Sequence, residues 1–200
     1  MQVRELKVPG AFEFTPVQHG DDRGLFLEWF KVAEVTEAIG HPLNLAQANL
    51  SVSRAGTLRG IHFADVPAGQ AKYVTCPAGA VLDVIVDIRV GSPTFGTVDA
   101  VLLDGKDRRA VYLAEGLGHG FLALEDNSTL TYLCSTGYNP GGEHGINPLD
   151  PALDFPWPED MEFTLSPKDE QAPTLAEAAA AGLLPDYQVC LDYIESLRVK

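Results

Sequence analysis

The chain has 200 residues, 46% of them hydrophobic, and a formal net charge of −14. That length supports one domain with a real core, and the hydrophobic fraction excludes a disordered chain. The negative surface argues against nucleic acid and anionic membranes as partners, so a phosphate-bearing ligand would need a local cluster of Arg and Lys inside a pocket.

The N-terminal segment MQVRELKVPG has no signal-peptide core and no apolar run approaches the roughly 20 residues of a membrane span, so a cytoplasmic location is expected. From residue 12 to about 136 the pattern is one of short β-type runs separated by Gly, Pro and Asp. Strands are predicted over 12–17, 25–30, 45–53, 57–63, 72–76, 81–88, 98–103, 110–113, 120–124 and 129–135, with one short helix over 32–39. In the last run Leu130, Tyr132 and Cys134 face one way and Thr131, Leu133 and Ser135 the other. Many short strands at near-regular spacing indicate a sandwich or barrel. After Pro151 the composition shifts. Residues 151–173 are proline-rich and read as an ordered loop wrapping the barrel. Thr174 and Glu177 have capping-box spacing, with an alanine run behind them and Gly182 as the C-cap. A last helix is predicted over 187–197. The whole chain is taken as one domain, a β core over 1–150 with a wrap and helices over 151–200.

Five places carry candidate chemistry. In RGIHF (59–63), Arg59 and His62 are an odd distance apart, so a regular strand puts them on opposite faces unless a bulge or bend intervenes. Gly60 permits a close backbone approach. His62 alone reads more often as a satisfied core histidine or a metal ligand than as a base. Lys72 lies in an apolar strand, where an unpaired ammonium is costly, so it either snorkels outward or serves a site. In EGLGHGF (115–121), glycines around His119 suggest a tight turn that carries a histidine to a pocket rim. Tyr132 is either a core tyrosine with a satisfied hydroxyl or a proton donor. Lys168 and Asp169 form a solvated turn unless the wrap closes over the barrel mouth. Cys76, Cys134 and Cys190 form no CxxC pair and read as reduced structural thiols. There is no GxGxxG, Walker loop, HxH or HExxH, so no nicotinamide, ATP or sequential metal motif is present.

Taken in order, DDRGLFLEWF (21–30), QANLSVSRAGTLRGIHF (47–63), QAKYVTC (70–76), DVIVDIRVGSPTFG (83–96), EGLGHGFLALEDNSTLTYLCSTGYNP (115–140) and EHGINPLDP (143–151) resemble the dTDP-4-dehydrorhamnose 3,5-epimerase family, colinearly over roughly residues 1–185. The resemblance implies an all-β, cupin-like jelly roll (a β-barrel or double sheet) with short peripheral and C-terminal helices. It also implies a homodimer that acts on a dTDP-sugar without metal or cofactor. It assigns His62 as the base, Asp169 as the carboxylate that orients it, Lys72 as the cation near the C4 oxygen and Tyr132 as the acid on the opposite face of the sugar. Arg23, Glu28, Gln47, Asn49, Arg59, His119, Glu143 and Lys168 match substrate-binding positions, and Phe26 and Tyr138 match the aromatic pair that holds the thymine. The strand near Arg23 is expected to be shared with a partner subunit. Pro167 departs from the pattern by removing a backbone N–H, and is expected to shift the wrap slightly and alter nucleotide binding. The implied reaction inverts C3 and C5 beside a C4 ketone. The alternatives are a 3-only or 5-only epimerase or a ketoisomerase of an antibiotic deoxysugar pathway, which product stereochemistry separates. A cupin metal dioxygenase is a remote further alternative, which metal analysis separates.

Overall fold

The computed structural model describes residues 1–198. Thirteen strands and four helices follow in chain order. They are β1 (Gln2–Glu5), β2 (Ala11–Thr15), β3 (Gln18–Asp21), β4 (Gly24–Leu27), α1 (Val32–Ile39), β5 (Gln47–Ser53), β6 (Leu58–Ala64) and β7 (Lys72–Ala78). Then come β8 (Ala80–Val86), β9 (Val98–Asp104), β10 (Ala110–Leu113), β11 (Gly118–Ala123), β12 (Ser128–Cys134), β13 (Glu143–Gly145), α2 (Pro167–Glu170), α3 (Leu175–Ala180) and α4 (Tyr187–Leu197). No helix among the described residues is long and apolar enough to cross a membrane.

Two antiparallel sheets carry the fold. The first runs β1-β2-β10-β7-β12-β5 and the second β13-β6-β11-β8-β9; β3 and β4 form a separate hairpin. The eight strands β5 to β12 are dealt between the sheets in jelly-roll order, β5-β12-β7-β10 facing β6-β11-β8-β9. The expected jelly roll therefore takes its double-sheet form. The two ladders do not join into a closed barrel.

Burial explains the strand patterns. β8 and β11 read as near-continuous buried runs because the second sheet is covered on both faces. On its inner face Val81, Ile85, Val101, Leu103 and Phe121 meet Val74, Val111 and Leu130 of the first sheet in the main core. On its outer face Ile61, Phe63, Val84 and Val86 pack under Leu153, Leu175 and Ala178 of the wrap and α3. The capping box predicted at Thr174 and Glu177 is present; Ala181 is the C-cap, and Gly182 follows it with φ +67°. The predicted strand 25–30 ends at Leu27, and residues 28–30 leave the hairpin as irregular chain. Trp29 and Phe30 then pack on Tyr73.

The outer face of the first sheet is open at its β5 edge. Leu50 and Val52 are 64% and 54% exposed. Ala48, Leu50, Thr131 and Leu133 line an apolar depression of about 540 Å³ there, walled by Leu27 and Trp29.

Buried charge anchors the far end of the second sheet. Asp87 accepts hydrogen bonds from Arg89 Nε and Nη2 at 2.8 Å each and from the hydroxyls of Ser92 and Thr94 at 2.6 Å. Burial alone would raise its pKa, but these donors outweigh it and hold it below the usual carboxylate range. A folded pKa below the unfolded value near 3.9 contributes stability that is complete above that value and lost as pH falls through the folded one. Asp87→Asn leaves Arg89 buried without its counter-charge. It is expected to cost about 3–5 kcal/mol at neutral pH and to flatten the acid limb of stability, as read by urea unfolding at pH 7 and pH 3.

Candidate active site

The site lies at the end of the inter-sheet space bounded by β5, β6, β12 and β13. Its first wall is β6 on β11. Their register pairs His62 with His119 and Arg59 with Phe121, so β6 carries one residue more than β11 between these pairs. This bulge turns the odd Arg59–His62 spacing into a shared face. It depends on glycine: a Cβ on Gly60 would sit 2.6 Å from Gly120 Cα.

His62 Nε2 lies 2.7 Å from Asp169 Oδ1. Asp169 comes from α2, a single turn capped by Ser166, whose hydroxyl accepts the Asp169 N–H at 3.1 Å. Pro167 occupies the first helical position, where a missing N–H costs no hydrogen bond, so it fits the wrap as built. Asp169 is buried. Desolvation pushes its pKa up, but hydrogen bonds and charge from His62, the Ser166 hydroxyl and the Gly60 backbone leave it lowered. Lys168 and Asp169 are thus no solvated turn: the wrap brings both to the site.

The facing wall belongs to the first sheet. Lys72 on β7 pairs in register with Cys134 on β12, and Tyr132 pairs with Asn49 on β5. Lys72 points inward rather than snorkelling. Burial lowers its pKa, against the raising influence of Cys134, Glu143 and Asp83. Tyr132 is pushed up by burial and by Cys134 and Glu143, with Arg59 opposing. Gln47 donates to Asn49 Oδ1 at 2.7 Å and accepts the Tyr138 N–H at 2.9 Å, tying the loop after β12 to the edge strand.

Two further groups emerge that sequence reading did not single out. Asp83 on β8 bonds His119 Nε2 at 2.7 Å, and its other oxygen has no partner among the described residues. A charge alternating into an apolar strand, the signal that drew attention to Lys72, was equally present at Asp83. Ser53 accepts from Arg59 Nε at 3.2 Å and fixes that guanidinium.

Arg59, His62, Tyr138, Glu143, Lys168 and Asp169 line a cavity of about 390 Å³. Arg23, Phe26 and Glu28 do not join it within one chain. Phe26 is 65% exposed on the β3–β4 hairpin, Arg23 is paired with Asp21, and Glu28 lies 3.5 Å from Lys31. Among the described residues no three His, Cys, Asp or Glu side chains are grouped to hold a metal ion. An oriented imidazole on one wall, with an ammonium and a phenol on the other, can remove a proton, stabilise the resulting oxyanion and return a proton from the opposite side.

Comparison with known proteins places the chain in a family. The sequence profile of the family described as dTDP-4-dehydrorhamnose 3,5-epimerase matches residues 5–177. The chain is 59% identical over 198 residues to the dTDP-4-dehydrorhamnose 3,5-epimerase of Mycolicibacterium smegmatis, covering 99% of this chain and 98% of that one. It is 58% identical over 190 residues to the dTDP-4-dehydrorhamnose 3-epimerase of Streptomyces niveus, covering 95% and 91%. Among solved structures, the rmlC epimerase of Mycobacterium tuberculosis superposes with a TM-score of 0.96 at 53% identity, covering 99% of this chain and all of that one.

Proposed function

Since this chain belongs to the dTDP-4-dehydrorhamnose 3,5-epimerase family, we propose that it inverts C3 and C5 of a dTDP-linked 4-keto-6-deoxyhexose, using His62 as the base for both carbons. The observation that carries the reading is the His62–Asp169 pair at 2.7 Å, facing Lys72 and Tyr132 across the inter-sheet space. Both C–H bonds flank the ketone, so each proton lost gives an enolate whose charge falls on the C4 oxygen. Lys72 supplies positive charge there. Asp169 holds the imidazole of His62 in one orientation. Tyr132 delivers a proton from the other wall. His119, held by Asp83, and Arg59, held by Ser53, bind the sugar and diphosphate with Gln47, Asn49, Glu143 and Lys168, and Tyr138 stacks on the thymine. Proton NMR of the enzyme with dTDP-4-keto-6-deoxyglucose in deuterium oxide tests the reading. Deuterium at both C3 and C5, with inversion at both, is the expected result. The activity is expected to survive EDTA; inhibition reversed by one divalent ion would overturn the organic acid–base scheme.

A second reading is favoured by the 58% identity to a 3-epimerase: inversion at C3 alone. Product stereochemistry in the same experiment decides between them.

The chain is further proposed to work as a homodimer. The apolar depression at the β5 edge is large and open, and Arg23 and Phe26 on the hairpin and Glu28 just after it do not line their own chain's cavity. A second copy seated on this face would bury Leu50 and Val52 and bring the hairpin residues toward a neighbouring site. Light scattering at micromolar protein is expected to give twice the chain mass. Leu50→Glu is expected to shift the population to monomer and to lower activity; a fully active monomer would refute the proposal.

A further inference from the structure

Lys72 is the first residue of β7, and the ladders on both sides of that strand end at it. Its partners there are Leu113 on β10 and Cys134 on β12. The end of a ladder frays most readily. An ammonium that meets a developing oxyanion has to be held still, since a misplacement of about 1 Å can cost on the order of 100-fold in rate. The chain just before Lys72 is held by Glu115, a residue that takes no part in the acid–base chemistry. Glu115 is 1% exposed and opens the EGLGHGF segment that leads into β11.

Glu115 Oε1 accepts the Ser135 hydroxyl at 3.0 Å, and the oxygen of that hydroxyl accepts the Ala71 N–H at 2.8 Å. The Ser135 N–H returns to the Ala71 carbonyl at 3.0 Å. Both backbone groups of Ala71 are thereby engaged by Ser135. Thr136 Oγ1 continues the seam by donating to the Gly69 carbonyl at 2.8 Å, and Gln70 Nε2 by donating to the Thr136 carbonyl at 3.0 Å. The same stretch of chain rests on the Glu115 side chain itself: Gly69 has φ +70°, and a Cβ there would sit 2.7 Å from Glu115 Cβ. From behind, α4 presses on Gly116, where a Cβ would collide with Cys190 Sγ. Packing alone does not account for the carboxyl group. Glu115 Oε2 has no partner among the described residues, and an unpaired oxygen of this kind is costly to bury. An apolar side chain of similar volume would fill the space without that cost, but it could not hold Ser135. We infer that Glu115 is a positioning residue for Lys72: through Ser135 and Ala71 it fixes the end of β7 from which the ammonium projects. The inference rests on the reading of Lys72 as the cation at the C4 oxygen.

The experiment compares Glu115→Gln, which keeps an acceptor for Ser135, with Glu115→Leu, which keeps the volume and removes the acceptor. In protein labelled with carbon-13 at lysine Cε, the Lys72 resonance is identified by its absence from Lys72→Met. It is expected to shift in Glu115→Leu and to keep its wild-type position in Glu115→Gln, with the other lysines unmoved in both. For deuterium exchange into the sugar, kcat should fall about tenfold in Glu115→Leu with KM within about twofold of wild type, and Glu115→Gln should recover most of the loss. Ser135→Ala removes a single oxygen, so it should fold; it should shift the same resonance and lower kcat about threefold, and it decides the matter should Glu115→Leu not fold. An unmoved Lys72 resonance in the folded variants, equal losses of kcat in Glu115→Gln and Glu115→Leu, or a rise in KM at constant kcat would each overturn the inference. The lysine resonance reports on the clamp whether or not the sugar turns over, whereas a wild-type protein that exchanges neither proton would refute the epimerase reading instead.

Discussion

His62→Asn is expected to abolish deuterium incorporation at both C3 and C5 while leaving the sheets intact. The imidazole is half-buried and its one side-chain partner among the described residues is Asp169, so its removal takes away the base and little packing. A positioned general base contributes about 10²–10⁴-fold. The loss should fall equally on the two carbons, because both flank one carbonyl and one base serves them as the ring turns in the site. Asp169→Asn should cost less, since the imidazole remains and only its orientation is lost. Unfolding curves recorded beside the exchange assay distinguish lost chemistry from lost structure. If His62→Asn still exchanges either proton at a near wild-type rate, the base is another group.

Tyr132→Phe is expected to separate exchange from inversion. Deprotonation and reprotonation on one face return the starting sugar, so inversion needs a donor opposite His62. Tyr132 lies on the facing sheet, and the inward groups beside it on β12 are Leu130 and Cys134. An ordinary phenol has a pKa of about 10, and burial moves Tyr132 upward from there. Such an acid holds its proton at neutral pH yet yields it to a carbanion, which is far more basic. The variant should therefore still wash deuterium into the sugar through His62, but give about 10²–10⁴-fold less inverted product, chiefly at C5. If the wild-type protein inverts C3 alone and Tyr132→Phe leaves that product unchanged, the phenol is structural and the single-carbon reading holds.

How far the sequence discloses this arrangement depends on what kind of signal each part leaves. Strands with one buried face declare themselves by alternation, as β12 does, and α1 and α4 begin and end where their patterns do. β1 and β3 leave no such trace because all four residues of each are exposed, and β13 has only three residues. The site is legible in its residue types but not in its assembly. The pairing of His62 with Asp169 joins positions 107 residues apart through a helix of one turn, which no local periodicity reports. Asp83 is as legible as Lys72, a charge in an otherwise apolar run, but its partner His119 lies 36 residues away and no local pattern names it. Arg23, Phe26 and Glu28 were legible only through resemblance, and one chain alone does not carry them to the cavity.

The bulge between β6 and β11 gives part of this site the character of a count. Arg59 and His62 share a wall because Gly60 and Ile61 together stand against Gly120 alone. Lengthening β11 by one residue beside Gly120 would restore an even ladder without altering any functional side chain. It would also put Arg59 and His62, three residues apart in a regular pleat, on opposite faces, so that one of them leaves the site wall. The reading frame of the pleat is thus itself a determinant of activity. In a library of length variants, single-residue insertions beside Gly120 should be among the most damaging, while length changes at the tip of the loop between β9 and β10 should pass almost unnoticed.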